Sequence, residues 1–510
     1  MNIAQVLDET ASKFPDKHAV IFESDSYTFQ DIFSMSKRVA ALLAKIGIKS
    51  GDRVAIQLPK SMEMIFCYLA NLTMGAVTLP LNTAYKTEEI EYFLKDSGSS
   101  LFITTQQNYI SLKGMLDTIP DMSCMLVDGS HEKTICYQGE LEKVEVSSYP
   151  IFQAAADDVA LICYTSGTTG LPKGAMITHG NLVENTKAIA KAWAWSEKDI
   201  LLHVLPLFHV HGLNIALIGA LHAGSQMIMH EKFEPLKAWT AIEKSGCTMV
   251  MGVPTIYHRL LNQWEAVTEK PDIGTVRVFI SGSAPLSTKL FNRFQREVGH
   301  RILERYGMTE AGMITTNPIA ESERKPGSVG YPFDGVEVRI ADEEGKDITS
   351  GEIGEIYVRG NNIFKGYWRN PDKTKETFHD NWLKSGDLGY QDPDDKLRTY
   401  IVGRGKDLII SGGYNVYPKE IENIVDQYDG VHESAVFGLP DEDFGEKVAA
   451  AVVLKESSAL KESELIDFCK QRLAGYKCPK VVFVRDDIPR NVMGKVQKQL
   501  LQKAYSSPES

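Results

Sequence analysis

The chain predicts an α/β fold: a large N-terminal domain of two similar α/β layers with a small β-rich subdomain, followed by a smaller, mobile C-terminal α/β domain. Three observations predict it. Short apolar runs bounded by Gly or Pro alternate with segments of helical period from residue 3 to 104, and the alternation restarts at Val159. It restarts again beyond Gly403-Arg404-Gly405-Lys406-Asp407, a glycine-flanked charged link. Finally, 510 residues exceed one ordinary core.

In order, residues 3–13 read as an amphipathic helix, and Thr28-Phe29-Gln30-Asp31 as a capping box that starts a helix to about Ile46. Strand 53–57, helix 62–74, strand 77–80, helix 87–95 and strand 100–104 continue the first layer. The second layer reads as strand 159–164, helix 181–195, strand 201–205, a helix after Asn214, and strands 226–229 and 248–251. From Gly327 the texture becomes short strands with Gly turns. The domains are therefore expected at 1–404 and 405–510, with a hinge near Lys406.

Composition excludes several classes. A net charge of -12 argues against a nucleic-acid surface. Seven cysteines lack C-x-x-C spacing, so neither a disulfide framework nor zinc is indicated, and Cys478 beside Lys477 is left as a candidate reactive thiol. The start has no basic or apolar leader and no stretch approaches membrane-spanning length, which reads as cytoplasmic. The oligomeric state is open between monomer and homodimer.

Tyr164 to Gly174 reads Y-T-S-G-T-T-G-L-P-K-G after an apolar strand. Thr165, Ser166, Gly167, Thr168, Thr169, Gly170 and Lys173 bring hydroxyls, bare backbone N-H groups and one cation to a single loop, the chemistry of a phosphate cradle. It is not a Walker loop, because Pro172 and Gly174 flank the Lys. Ser283-Ala284-Pro285 and Glu304-Arg305-Tyr306-Gly307-Met308-Thr309-Glu310 follow strands, where such folds build ligand crevices. Ser385-Gly386-Asp387-Leu388, Arg404, and Pro489 to Lys495 complete the set.

In this order the motifs resemble those of the adenylate-forming enzymes, the superfamily of acyl-CoA synthetases, peptide-synthetase adenylation domains and beetle luciferases. The resemblance implies a carboxylic acid, ATP, Mg2+ and CoA as reactants, an acyl-adenylate, then a thioester with release of AMP. It implies the phosphates on the Thr165 to Lys173 loop, Tyr306 against adenine, Thr309 near a phosphate, Asp387 on the ribose, Arg404 near ribose and phosphate, and Glu310 with Thr165 at the metal. It makes Lys495 the catalytic lysine, bridging two anions whose repulsion opposes reaction. It further implies CoA at Gly412, Gly413, Tyr414, Phe444, Tyr476 and Lys477, and a hinge at Lys406.

The runs M-G-V-P-T-I-Y-H-R-L-L and L-E-R-Y-G-M-T-E resemble malonyl-CoA synthetases. The resemblance implies that Arg259, Ser283 and Arg305, with Met308 nearby, hold a distal carboxylate while His209 lies near the reacting one. Charge-assisted bonds of this kind contribute roughly 1.5 to 3 kcal/mol each. A fatty-acyl or aryl CoA ligase of the same fold is the alternative, expected if the arginines point away from the pocket.

Overall fold

The computed structural model describes residues 2–145, 149–165, 171–395, 398–411, 414–441, 444–455, 458–491 and 494–506. Two large sheets build the N-terminal domain. Among the described residues one has 14 strands and the other 8.

In the larger sheet, His18–Phe22, Gln226–Met229, Ile200–His203, Met249–Gly252, Val278–Ser281 and Leu303–Met308 lie side by side and parallel. Leu303–Met308 is the turning point, because its other neighbour, Gly312–Thr316, is antiparallel. The β-rich part expected beyond Gly327 is present and continues this same sheet through Ser328–Pro332, Arg398–Arg404 and Trp382–Asp392. Gly330 allows the join: its φ is +81°, and a Cβ there would collide with the Thr316 carbonyl.

In the second sheet, Leu101–Thr104, Arg53–Gln57, Val77–Pro80 and Val159–Thr165 run parallel. The Val159 strand then pairs antiparallel with Lys173–Thr178, a strand the sequence did not announce. The expected phosphate loop therefore joins the two strands of a hairpin. Gly174 makes the close pairing possible, since a Cβ would sit 2.7 Å from Ile162 Cγ2.

Helix Met62–Met74 is buried along its length except at Glu63, as an all-round apolar helix must be. Its Tyr68 hydroxyl donates to Asn214 Oδ1 at 2.9 Å, tying it to the π-helix His211–Ile218. The smaller C-terminal domain is a five-stranded sheet among the described residues, with its own cores around Val436 and Phe437. No helix of the described residues is long and apolar enough to cross a membrane. Cys478 is corrected from reactive to structural: it is buried, and burial pushes its thiol up, away from the thiolate.

Candidate active site

The carboxyl ends of the parallel strands converge as the crevice rule requires. After Ile200–His203 the chain turns through His209 into a π-helix, a rare form often found at functional sites. The backbone N-H of His211 donates to His209 Nδ1 at 3.2 Å. Burial, with Lys495 and Arg305 adding repulsion, lowers His209 to about 3. The ring is thus neutral near pH 7, and with Nδ1 accepting, its proton sits on Nε2 as a donor. His211 Nδ1 lies 3.1 Å from the Ser283 hydroxyl, and Ser283 holds a strained φ of +69°.

Arg305 comes from the turning-point strand and is 5% exposed. Its Nε and Nη2 have no hydrogen-bond partner among the described residues. Burial lowers its ordinary value to about 10, still cationic at neutral pH. An unpaired buried guanidinium is costly, and an incoming carboxylate would relieve that cost. Its guanidinium lies against Gly282, where any Cβ would collide with it. Gly282→Ala is therefore expected to push the guanidinium aside and raise the KM for the acid about tenfold, with the KM for ATP within about twofold. Steady-state kinetics with each substrate varied checks this.

Successive strand residues project to opposite faces. Tyr306 accordingly points away from Arg305, and its hydroxyl donates to Asp387 Oδ2 at 2.5 Å. Asp387 Oδ1 lies 3.4 Å from Arg404 Nε across an antiparallel pair. Glu304, on the Tyr306 side, accepts from Leu286 N at 2.9 Å, and burial raises it to about 7. It is thus not Arg305's partner.

Glu310 is 7% exposed, and its Oε1 accepts from Thr165 Oγ1 at 3.3 Å and from the Tyr367 hydroxyl at 3.0 Å. Lys173 Nζ stands 5.6 Å from the centre of the Tyr367 ring, and burial lowers its pKa. A buried carboxylate beside a hydroxyl suits Mg2+, whose remaining ligands would be phosphate and water oxygens. Among the described residues no cluster of three His, Cys, Asp or Glu could hold a metal alone.

Lys495 reaches this space from the C-terminal domain. Gly494, at φ +74°, packs beside Thr255, and the Lys495 N-H donates to Asn491 Oδ1 at 3.0 Å. Burial lowers Lys495 to about 8, with Arg404 and Arg305 pushing down and Asp387 and Glu310 pushing up. The protonated form is the one that can bridge two anions. Hence kcat/KM for adenylate formation is expected to hold below this pKa and fall as pH rises through about 8, a limb that Lys495→Arg should move upward. A pH profile of pyrophosphate exchange reads it.

The remaining expected residues divide. Met308 is partly buried, packed against the core, and pairs with Gly312. Gly307 must stay bare because its Cβ position is taken by the Gly312 carbonyl. Ala284 and Thr309 are half-buried and Pro285 is exposed. Ser166, Gly167, Thr168, Thr169, Gly170, Gly412 and Gly413 lie outside the described residues. Arg259 is not brought together with Arg305: it is exposed on helix Pro254–Ala266, its guanidinium 4.8 Å from the Phe233 ring centre. The helical period explains this, since the core side of that helix is taken by Ile256, Tyr257 and Leu260.

Lys406 is exposed in a single 3-10 turn. Tyr414 stacks on Tyr476 at 4.6 Å, Lys477 Nζ donates to both Glu420 oxygens at 2.7 and 2.8 Å, and Phe444 is solvent-exposed. Sequence reasoning gave His211 no role of its own and missed Tyr367. The first could have been found two positions beyond His209; the second lies too far along the chain to carry a local signal.

A domain crevice that gathers a lysine, a buried carboxylate, a neutral histidine and an unpaired arginine suits anionic substrates. The model of the AMP-binding enzyme matches residues 7–368, and that of the AMP-binding enzyme C-terminal domain matches 420–495. A long-chain-fatty-acid–CoA ligase of Bacillus subtilis (strain 168) is 33% identical over 98% of this chain and 94% of its own. The mitochondrial malonate–CoA ligase ACSF3 of Mus musculus is 34% identical over 98% of this chain and 90% of its own. The ATP-bound crystal structure of MatB from Rhodopseudomonas palustris superposes with a TM-score of 0.93 at 39% identity, covering 99% of each chain. The chain belongs to the AMP-binding enzyme family. Within it, this protein is an AMP-forming acid–CoA ligase that uses ATP and CoA.

Proposed function

We propose that the acid is a short dicarboxylate, malonate being the best fit, and that the enzyme is a malonyl-CoA synthetase. The observation that carries this reading is Arg305, buried within strand Leu303–Met308 with Nε and Nη2 unpaired among the described residues. A pocket for an aliphatic or aromatic tail would be lined by apolar groups, and such a tail would leave a bare guanidinium buried without a partner. The name of the Mus musculus relative supports the same acid.

In this reading Arg305 holds the distal carboxylate, His209 Nε2 donates to the reacting carboxylate, and Ser283 and His211 shape the wall between them. The reacting oxygen attacks the α-phosphorus; the O–P bond forms as the bond to the bridging oxygen breaks, and pyrophosphate leaves with the electron pair. Lys495 bridges the attacking carboxylate and the α-phosphate. Asp387 and Arg404 position the ribose, Tyr306 the adenine, and Lys173 the phosphates. Mg2+ held at Glu310 and Thr165 would neutralise phosphate charge.

The CoA sulfur then attacks the acyl carbon; a C–S bond forms, the C–O bond to AMP breaks, and the thiol proton passes to solvent. Tyr414, Tyr476, Phe444 and Lys477 are proposed for CoA, with 405–510 turning about Lys406. A reducing compartment, the cytoplasm in the simplest case, is part of the proposal and is supported by seven free cysteines.

The test is CoA-dependent AMP release by purified protein with ATP and Mg2+, comparing malonate, methylmalonate, oxalate, butyrate, octanoate, palmitate and benzoate. Malonate is expected to lead. A lead by octanoate, palmitate or benzoate would overturn the dicarboxylate reading and leave the ligase standing.

A further inference from the structure

Lys289 lies in the first turn of helix Thr288–Val298, on the N-terminal domain. Its Nζ donates to three carbonyls of the C-terminal domain: Asp426 at 2.9 Å, Val431 at 2.8 Å and His432 at 3.4 Å. Asp426 closes helix Pro418–Val425, so its carbonyl belongs to the negative end of that helix. A cation supplied by one domain to three carbonyls of the other can exist only in this relative orientation.

The grip is linked to the site by four steps. Val431 and His432 immediately precede Glu433, whose carboxylate pairs with Arg490. Arg490 Nη1 in turn donates to the Gly494 carbonyl at 2.8 Å, holding the turn that aims Lys495. Beside the grip, the His258 and His432 rings meet edge to face at 4.8 Å. A cavity of 1080 Å³ opens between the domains there, lined by His258, Arg293, Asp426, His432 and Lys455. Water therefore reaches the contact, and it can break without opening a dry interface.

We propose that Lys289 is a positioning residue for adenylate formation: it holds the C-terminal domain in the orientation that inserts Lys495. The same rigid domain leaves Tyr414 58% and Phe444 48% exposed, turned to solvent while Lys495 is turned inward. One orientation cannot present both sets to the site. The Lys289 contact thus serves the first half-reaction and is released for the second. This assignment rests on the proposed role of Lys495.

The test uses the full-length chain as Lys289→Met and Lys289→Arg, with two readouts. The first is kinetic. Lys289→Met is expected to lower kcat of acid-dependent pyrophosphate exchange about tenfold with KM values within about twofold, and to leave thioester formation from a supplied acyl-adenylate and CoA unchanged. Lys289→Arg should recover most of the loss. The second needs no substrate: mass spectrometry of deuterium labelling at the backbone amides of Gly494 to Gln497, expected to speed up about threefold or more in Lys289→Met as this segment leaves Thr255. Unchanged labelling together with unchanged exchange would overturn the assignment, as would equal loss in both half-reactions. Faster labelling with unchanged exchange would keep the contact and overturn its positioning role, while the role of Lys495 is read separately from exchange by Lys495→Ala.

Discussion

Lys495→Ala is expected to lower acid-dependent pyrophosphate exchange by a factor on the order of 10³, equivalent to about 4 kcal/mol of transition-state stabilisation. Two anions must approach for the first half-reaction, and Lys495 is the cation proposed to lie between them. In the second half-reaction a thiol attacks a neutral acyl carbon and not an anionic phosphorus, so thioester formation from supplied acyl-adenylate should persist. Equal loss in both steps would show that Lys495 supports the fold instead. Its surroundings favour the catalytic role: Asp387 and Glu310 sustain its charge, while burial and Arg404 oppose it.

The second large effect is expected at the acid. Arg305→Leu should lower kcat/KM for malonate by a factor on the order of 10³ to 10⁴, because the buried distal carboxylate would lose its only proposed cation. For butyrate, which lacks that carboxylate, kcat/KM should rise or hold. The ratio between the two acids is the decisive quantity, and equal falls for both would make Arg305 a structural residue. The variant should also melt no lower than the parent, since an unpaired buried charge is replaced by an apolar side chain. Calorimetry without substrate checks that separately.

Local signals in the amino-acid sequence carry much of this architecture. Thr28 and Asp31 announce their helix because a capping box is a local contact, and it forms as read. Ser283, Tyr306 and Asp387 are marked by short motifs whose order along the chain gives them meaning. Arg259 and Arg305 show the limit. Both stand beside the right motifs, but only the pairing of Leu303–Met308 against Val278–Ser281 turns Arg305 inward over Gly282, while the helical period sends Arg259 out to Phe233. Tyr367 reaches Glu310, and Lys289 reaches Asp426, across sequence separations of 57 and 137 residues. Contacts of that range leave no periodic trace in a single chain.

The strand Leu303–Met308 carries one more consequence. Arg305 and Tyr306 are adjacent in the chain yet aim at opposite faces, one toward the proposed acid pocket and the other toward Asp387. In the proposed reading a single backbone element thus separates the acid pocket from the nucleotide wall. If both proposed roles hold, mutation at 305 would change the acid while the nucleotide wall at 306 stays intact. Diversification of substrate would then require no rebuilding of the energy-coupling half of the enzyme. An inserted or deleted residue in the same strand would exchange the two faces and destroy both functions at once.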